Sequence, residues 1–224
     1  MATVDRHLRD ELRDHACALA LRLGLSRDTG IALADGLLLQ YGRWPRRYHD
    51  GRHLLACVRA AETIRGLTAD ADTIGFALWF HDAVYWPWRH DNEARSAAQA
   101  REAAHRLGLG DGFAARVHCL VMATAHLAAG AEGGDGDPAI PWVLDIDLGI
   151  FGAPADTFDR YEKDVRREYF FVSPWVWRKG RGAVLRHFLA QPQIYRSTHF
   201  RAALEEPARE NLQRALRALE AASA

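Results

Sequence analysis

Apolar residues recur at helical spacing along most of this chain. From Thr68, read as an N-cap, Ile74, Leu78, His81 and Tyr85 share one face, and Leu204, Ala208, Leu212, Ala215 and Leu219 form a second stripe near the C-terminus. Strand-like alternation is scarce. Ser173-Pro174 and Ala153-Pro154 read as helix starts with proline at the first helical position, so "TFDRYEKDVRREYFFV" and "WVWRKGRGAVLRHFL" form separate helices. The pattern predicts an all-α fold, a bundle of about nine or ten helices. "AAGAEGGDGDPAIP", residues 128–141, has no apolar period and predicts an exposed, mobile loop. The segments on either side of it carry complementary parts of one candidate site, so a single domain over residues 1–224 is expected.

Composition narrows the class. With 224 residues, 49% of them hydrophobic, the chain is long enough to bury one sizeable core. Its 29 basic residues balance 29 acidic ones, so no overall field favours a nucleic-acid duplex or an anionic membrane, and neither is expected as a partner. The three cysteines, Cys17, Cys57 and Cys119, fit neither a disulfide framework nor a CxxC motif, which points to a reducing cytoplasm. Residues 1–25 alternate charge with apolar positions and do not read as a signal peptide. No apolar run is long enough to span a bilayer.

Three short stretches carry candidate chemistry. In "RRYHDGRH", helical spacing puts His49 and His53 on one face, with Cys57 and Ala60 continuing the stripe. In "ALWFHDAVY", His81-Asp82 sits inside an otherwise apolar and aromatic helix. A buried carboxylate needs a cation, an arginine or a helix N-terminus as partner, and a metal would satisfy Asp82 and His81 together. In "WVLDIDLGIFG", Asp145 and Asp147 point in different directions on a helix, so at most one faces the same cavity, and Asp145 either caps a helix, supports a ligand or ligates. Together these donors suit a divalent first-row ion in roughly octahedral geometry with positions left for water. No thiolate is included, which argues against a structural zinc site. Such an ion acidifies a bound water and polarises a phosphoryl or carbonyl oxygen, so hydrolysis is the chemistry that suits the set.

His53, the pair His81-Asp82 and a distant Asp-Leu step resemble the H…HD…D signature of the HD-domain superfamily of metal-dependent phosphohydrolases. The ordered set "RxYHxxxH", "WFHDAVY", "DNEARSA", "DIDLGIFG", "VRREY", "GRGAVLRHFL" and "EEPAREN" is similar to a bacterial subgroup of predicted HD phosphohydrolases, over about residues 41–212. The resemblance implies a single HD-domain-like helical bundle binding one divalent ion (Mn, Mg, Fe, Co, Ni or Zn) through His53, His81, Asp82 and Asp147, with Asp145 as the alternative fourth ligand. By the same likeness His49 is the general acid. Asp50 stands where the usual pattern has Asn, adding a charge beside His49.

A phosphoryl substrate also needs donors beside the metal. Arg46, Arg47 and Arg166 are candidate phosphate contacts, as is Arg181. His126, in "VMATAHLA", is read as lying in a small and apolar helix and as a candidate for holding phosphate or the attacking water. Trp86 and Trp88, flanking a proline, are candidate substrate contacts. Asn92, Glu93 and Glu168 read equally as helix-end residues and as hydrogen-bond partners of the ligands. The expectation is a cytoplasmic phosphohydrolase cleaving an ester or anhydride of a small phosphorylated molecule, a nucleotide among them, by attack of a metal-held water. The rivals are a non-hydrolytic nucleotide sensor and, ranked last, an iron-dependent HD oxygenase.

Overall fold

The structure is a computed structural model that describes residues 5–126 and 136–221. It is all-α: ten α-helices, one 3-10 helix and no strand occur among the described residues. In chain order the helices are α1 (Arg6–Arg22), α2 (Arg27–Tyr41), α3 (Gly51–Thr63), α4 (Ala71–Phe80), α5 (Asn92–Arg106), α6 (Asp111–Ala123), α7 (Ile140–Asp147), α8 (Ala155–Glu168), α9 (Pro174–Ala190) and α10 (Thr198–Ala221), with the 3-10 helix at Leu148–Gly152 between α7 and α8. No helix among the described residues is long and apolar enough to cross a membrane.

Contacts divide the chain into two compact units, Met1–Val143 and Leu144–Ala224. In the first, α4 packs against α1, α3, α5 and α6. Its sequence explains this position: every residue from Ile74 to Phe80 is buried, so the helix is apolar on all sides and has to be surrounded. Gly30 of α2 lets that helix lie close on α1, since a Cβ there would come within 2.7 Å of the Ala16 carbonyl oxygen. In the second unit α10 packs on α8, α9 and the 3-10 helix.

Helix boundaries follow local capping. The Ser26 hydroxyl accepts from Thr29 N–H, and the Ser173 hydroxyl accepts from Val176 N–H, with Pro174 as the first residue of α9 as the sequence predicts. Pro154 differs: it is the N-cap, and α8 starts one residue later. Thr68 is not an N-cap either. Asp70 precedes α4, while the Thr68 hydroxyl accepts from Asp70 N–H in the turn before it. The helical period also overruns α4, which ends at Phe80, so His81 is its C-cap and Tyr85 lies beyond the helix. Apolar spacing cannot reveal that stop, because no breaker residue marks it. Of the loop expected over 128–141, residues 128–135 lie outside the described residues, and Ile140-Pro141 already belong to α7.

Arg116 of α6 ties the first unit together. Its guanidinium donates to Asp137 at 2.7 and 2.8 Å and to Asp70, before α4, at 2.6 Å. Hydrogen bonding from Arg116 holds the Asp137 carboxyl below the ordinary carboxylate range. Replacement of Arg116 by Met is expected to cost about 1–2 kcal/mol at neutral pH, measured by urea unfolding. Because the folded-state pKa of Asp137 is depressed, its share of that stability is present above the ordinary carboxylate pKa and is lost as pH falls through the folded value. The gap between wild type and variant therefore narrows in acid, below about pH 4.

Candidate metal centre

α3 and the end of α4 bring the central side chains together. Asp50 caps α3, its carboxylate accepting from Arg52 N–H at 2.8 Å and pairing with the Arg52 guanidinium at 2.9 Å. The extra charge at position 50 is thus engaged by Arg52. The cap also corrects the sequence expectation for the first histidine pair: α3 starts at Gly51, so His49 lies in the turn before it, and the helical stripe is left to His53, Cys57 and Ala60. His53 is buried, as is Cys57 one turn later.

His81, 2% exposed, points Nδ1 at the Leu78 carbonyl oxygen, 2.7 Å away. A carbonyl only accepts, so Nδ1 carries a proton, and Nε2 is the nitrogen left bare whenever the ring is neutral. That Nε2 lies 3.0 Å from Nε2 of His53. Oδ2 of Asp82 approaches the two nitrogens at 3.3 and 3.5 Å, yet it is buried and accepts no hydrogen bond. Burial alone would push the Asp82 carboxyl up, but the neighbouring His81, His49 and His53 outweigh it and hold the group well below the usual carboxylate range. Two ring nitrogens and an orphan carboxylate oxygen converging in a buried space fit a divalent cation, which would satisfy all three at once.

Cys57 adds a donor that sequence reasoning left out. Its Sγ lies 3.7 Å from Nε2 and 3.8 Å from Nδ1 of His53, and the donor atoms of His53, Cys57 and His81 all lie within 4.8 Å of one another. The signal was in the sequence, a cysteine four residues after a histidine on a helix.

The surrounding backbone is held by side chains. Arg46, buried, donates to the carbonyls of His49 (2.7 Å), Asp82 (2.8 Å) and Ala83 (3.0 Å), with its guanidinium over the rings of Tyr41 and Tyr85. Its two terminal nitrogens are committed to main chain, which corrects the expectation of a phosphate contact: Arg46 positions the turns that carry His49 and Asp82. Asn92, the first residue of α5, accepts from Trp86 N–H and donates to the Trp86 carbonyl, and Ser96 does the same for Val84. Glu93 lies in the first turn of α5, half-buried.

His49 stacks on Tyr85 with ring centres 4.1 Å apart and lies 5.9 Å from the His53 ring. Trp86 and Trp88 are 5.1 Å apart by ring centre. Trp44, which the sequence pattern did not single out, stands 6.2 Å from Trp88, and both Trp44 and Trp88 are exposed. Arg47 is exposed and lines, with Arg46, Arg52 and His7, a pocket of about 550 Å³ at the start of α3. His126 is not helical, since α6 stops at Ala123 and His126 follows in a turn.

In the second unit Asp145 is fully buried, and its two oxygens accept from Arg196 N–H and Ser197 N–H, both at 2.7 Å, at the entrance to α10. The alternative of Asp145 as fourth ligand is therefore overturned: both oxygens are engaged by backbone donors. Asp147 is the half-buried last residue of α7. Arg166 donates to the carbonyls of Tyr169 and Val172 and so closes the end of α8, with Trp177 against its guanidinium, which leaves no free fork for phosphate. Arg181 is buried on Tyr161 and Glu162, and Glu168 is fully buried. Comparisons with family models, curated proteins and solved structures return no match to this chain.

Arg46→Met is expected to destabilise the chain by about 3 kcal/mol in thermal or urea unfolding, because three carbonyls, one buried and two part-buried, lose a charged donor. Arg46→Lys, with one ammonium in place of the fork, recovers only part of this.

Proposed function

We propose that this chain is a metal-dependent phosphohydrolase of the HD-domain superfamily, cleaving the phosphate ester or anhydride of a small molecule. The observation that carries the reading is the convergence of Asp82 Oδ2 with Nε2 of His81 and of His53, at 3.3 and 3.5 Å. His53, His81 and Asp82 hold the ion, and the H…HD…D sequence pattern adds Asp147 as the fourth ligand. An ion bound there supplies Lewis acidity and lowers the pKa of a water. The chain's own groups do the rest. The Leu78 carbonyl keeps His81 in the tautomer that ligates through Nε2. His49, stacked on Tyr85, holds the proton for the leaving oxygen. Arg47, exposed two residues before His49, is the phosphate donor this scheme keeps.

The tryptophans favour a nucleotide among small phosphorylated substrates. Trp44, Trp86 and Trp88 form an aromatic ledge on segments that Arg46 and Asn92 hold in place, so a stacked base meets a preorganised surface.

Two measurements test this. His81→Ala and Asp82→Ala are each expected to lose bound metal, by elemental analysis, and phosphate release together, by at least ~100-fold; wild-type metal content and turnover in both variants would sink the assignment. In a screen against nucleotides and ribose phosphate, Trp88→Ala is expected to raise KM for the nucleotide about 5- to 100-fold with little change for the sugar phosphate. Nucleotide binding without phosphate release would instead indicate a sensor.

A further inference from the structure

We infer that Cys57 is a metal ligand through Sγ, so that the centre takes an ion that accepts sulfur, Zn²⁺, Co²⁺ or Fe²⁺, in preference to Mg²⁺. This assignment rests on the metal site proposed above and adds a donor that the H…HD…D pattern lacks.

Bonds of about 2.0–2.2 Å to nitrogen or oxygen and about 2.3 Å to sulfur place adjacent donors of one ion roughly 2.9–3.6 Å apart, from octahedral to tetrahedral geometry. In the first unit the corresponding separations are 3.0 Å between the two Nε2 atoms, 3.3 and 3.5 Å from these to Asp82 Oδ2, and 3.7 Å from His53 Nε2 to Cys57 Sγ. The sulfur lies nearly equidistant from the two ring nitrogens of His53, and the donor atoms of His53, Cys57 and His81 all lie within 4.8 Å of one another, so one ion can gather them once the side chains turn toward it. The i, i+4 relation on α3 produces this: one helical turn stacks the two side chains on the same face. Cys57 is 2% exposed, so water does not compete for the position.

Hard Mg²⁺ favours oxygen donors and keeps several waters, whereas imidazole with thiolate suits zinc and its neighbours in the first row. When the sulfur–metal bond forms, the S–H bond breaks and its proton passes to solvent. The other cysteines provide internal controls. Cys119 is exposed on α6, and Cys17 is buried with Sγ directed at the Arg27 carbonyl, 3.5 Å away.

The test is cobalt substitution of the full chain, read by elemental analysis and by absorption. Wild type and Cys119→Ser are expected to bind one Co²⁺ per chain and show a sulfur-to-cobalt charge-transfer band in the near ultraviolet. Cys57→Ser should lack the band, and its Zn²⁺ affinity should fall roughly 10-fold or more with Mg²⁺ affinity little changed. Should Cys57→Ser fail to fold, retention of the band in both Cys17→Ala and Cys119→Ser assigns it to Cys57, the remaining cysteine. Bound cobalt without the band, or a band that persists in Cys57→Ser, overturns the assignment. A chain that binds no cobalt overturns both this and the metal site. The band without phosphate release leaves Cys57 a ligand and removes the hydrolase reading; phosphate release without the band does the reverse.

Discussion

An anion at the end of an apolar helix is the constraint around which the first unit is arranged. α4 is buried on all sides, and a helix so placed carries His81 into the interior and leaves Asp82 half-buried beside it. A carboxylate taken out of water costs several kcal/mol unless positive charge or hydrogen-bond donors replace the lost hydration. Here three imidazoles gather around Asp82, and Oδ2 is still left without a donor.

The arginines show a second consequence of burial. A helix end leaves carbonyl groups without partners, and a turn that crosses the interior leaves more. Arg46 satisfies three such carbonyls around the centre, and Arg166 satisfies two beyond α8. The planar fork that makes arginine a phosphate binder also makes it an internal strut, since its several N–H groups diverge at fixed angles. Sequence cannot separate these uses. Both call for an arginine near a functional histidine, and only the position of the carbonyls decides between them.

Helix content was legible because the apolar period is a local property. α8, α9 and α10 follow from it, with Ser173-Pro174 marking one boundary. The errors lie at helix ends. His49, His81 and His126 all continue a helical phase in the sequence and all lie just outside a helix, because termination depends on which carbonyls and amides find other partners. The pair Asp145 and Asp147 was separable only in part: helical phase says they diverge, but not which one meets backbone donors.

By itself, the sequence determined the all-α class, the helical stripe that joins His53 to Cys57, and the adjacency of His81 to Asp82, since each depends only on spacing along one or two turns. Tertiary structure decided which of these groups meet. It brought the start of α3 against the end of α4, put two Nε2 atoms and a carboxylate oxygen within 3.5 Å of one another, and committed Asp145 and Arg46 to the backbone. Those outcomes depend on contacts between residues dozens of positions apart, and on the competition of every buried polar group for a limited supply of partners, neither of which a local pattern encodes.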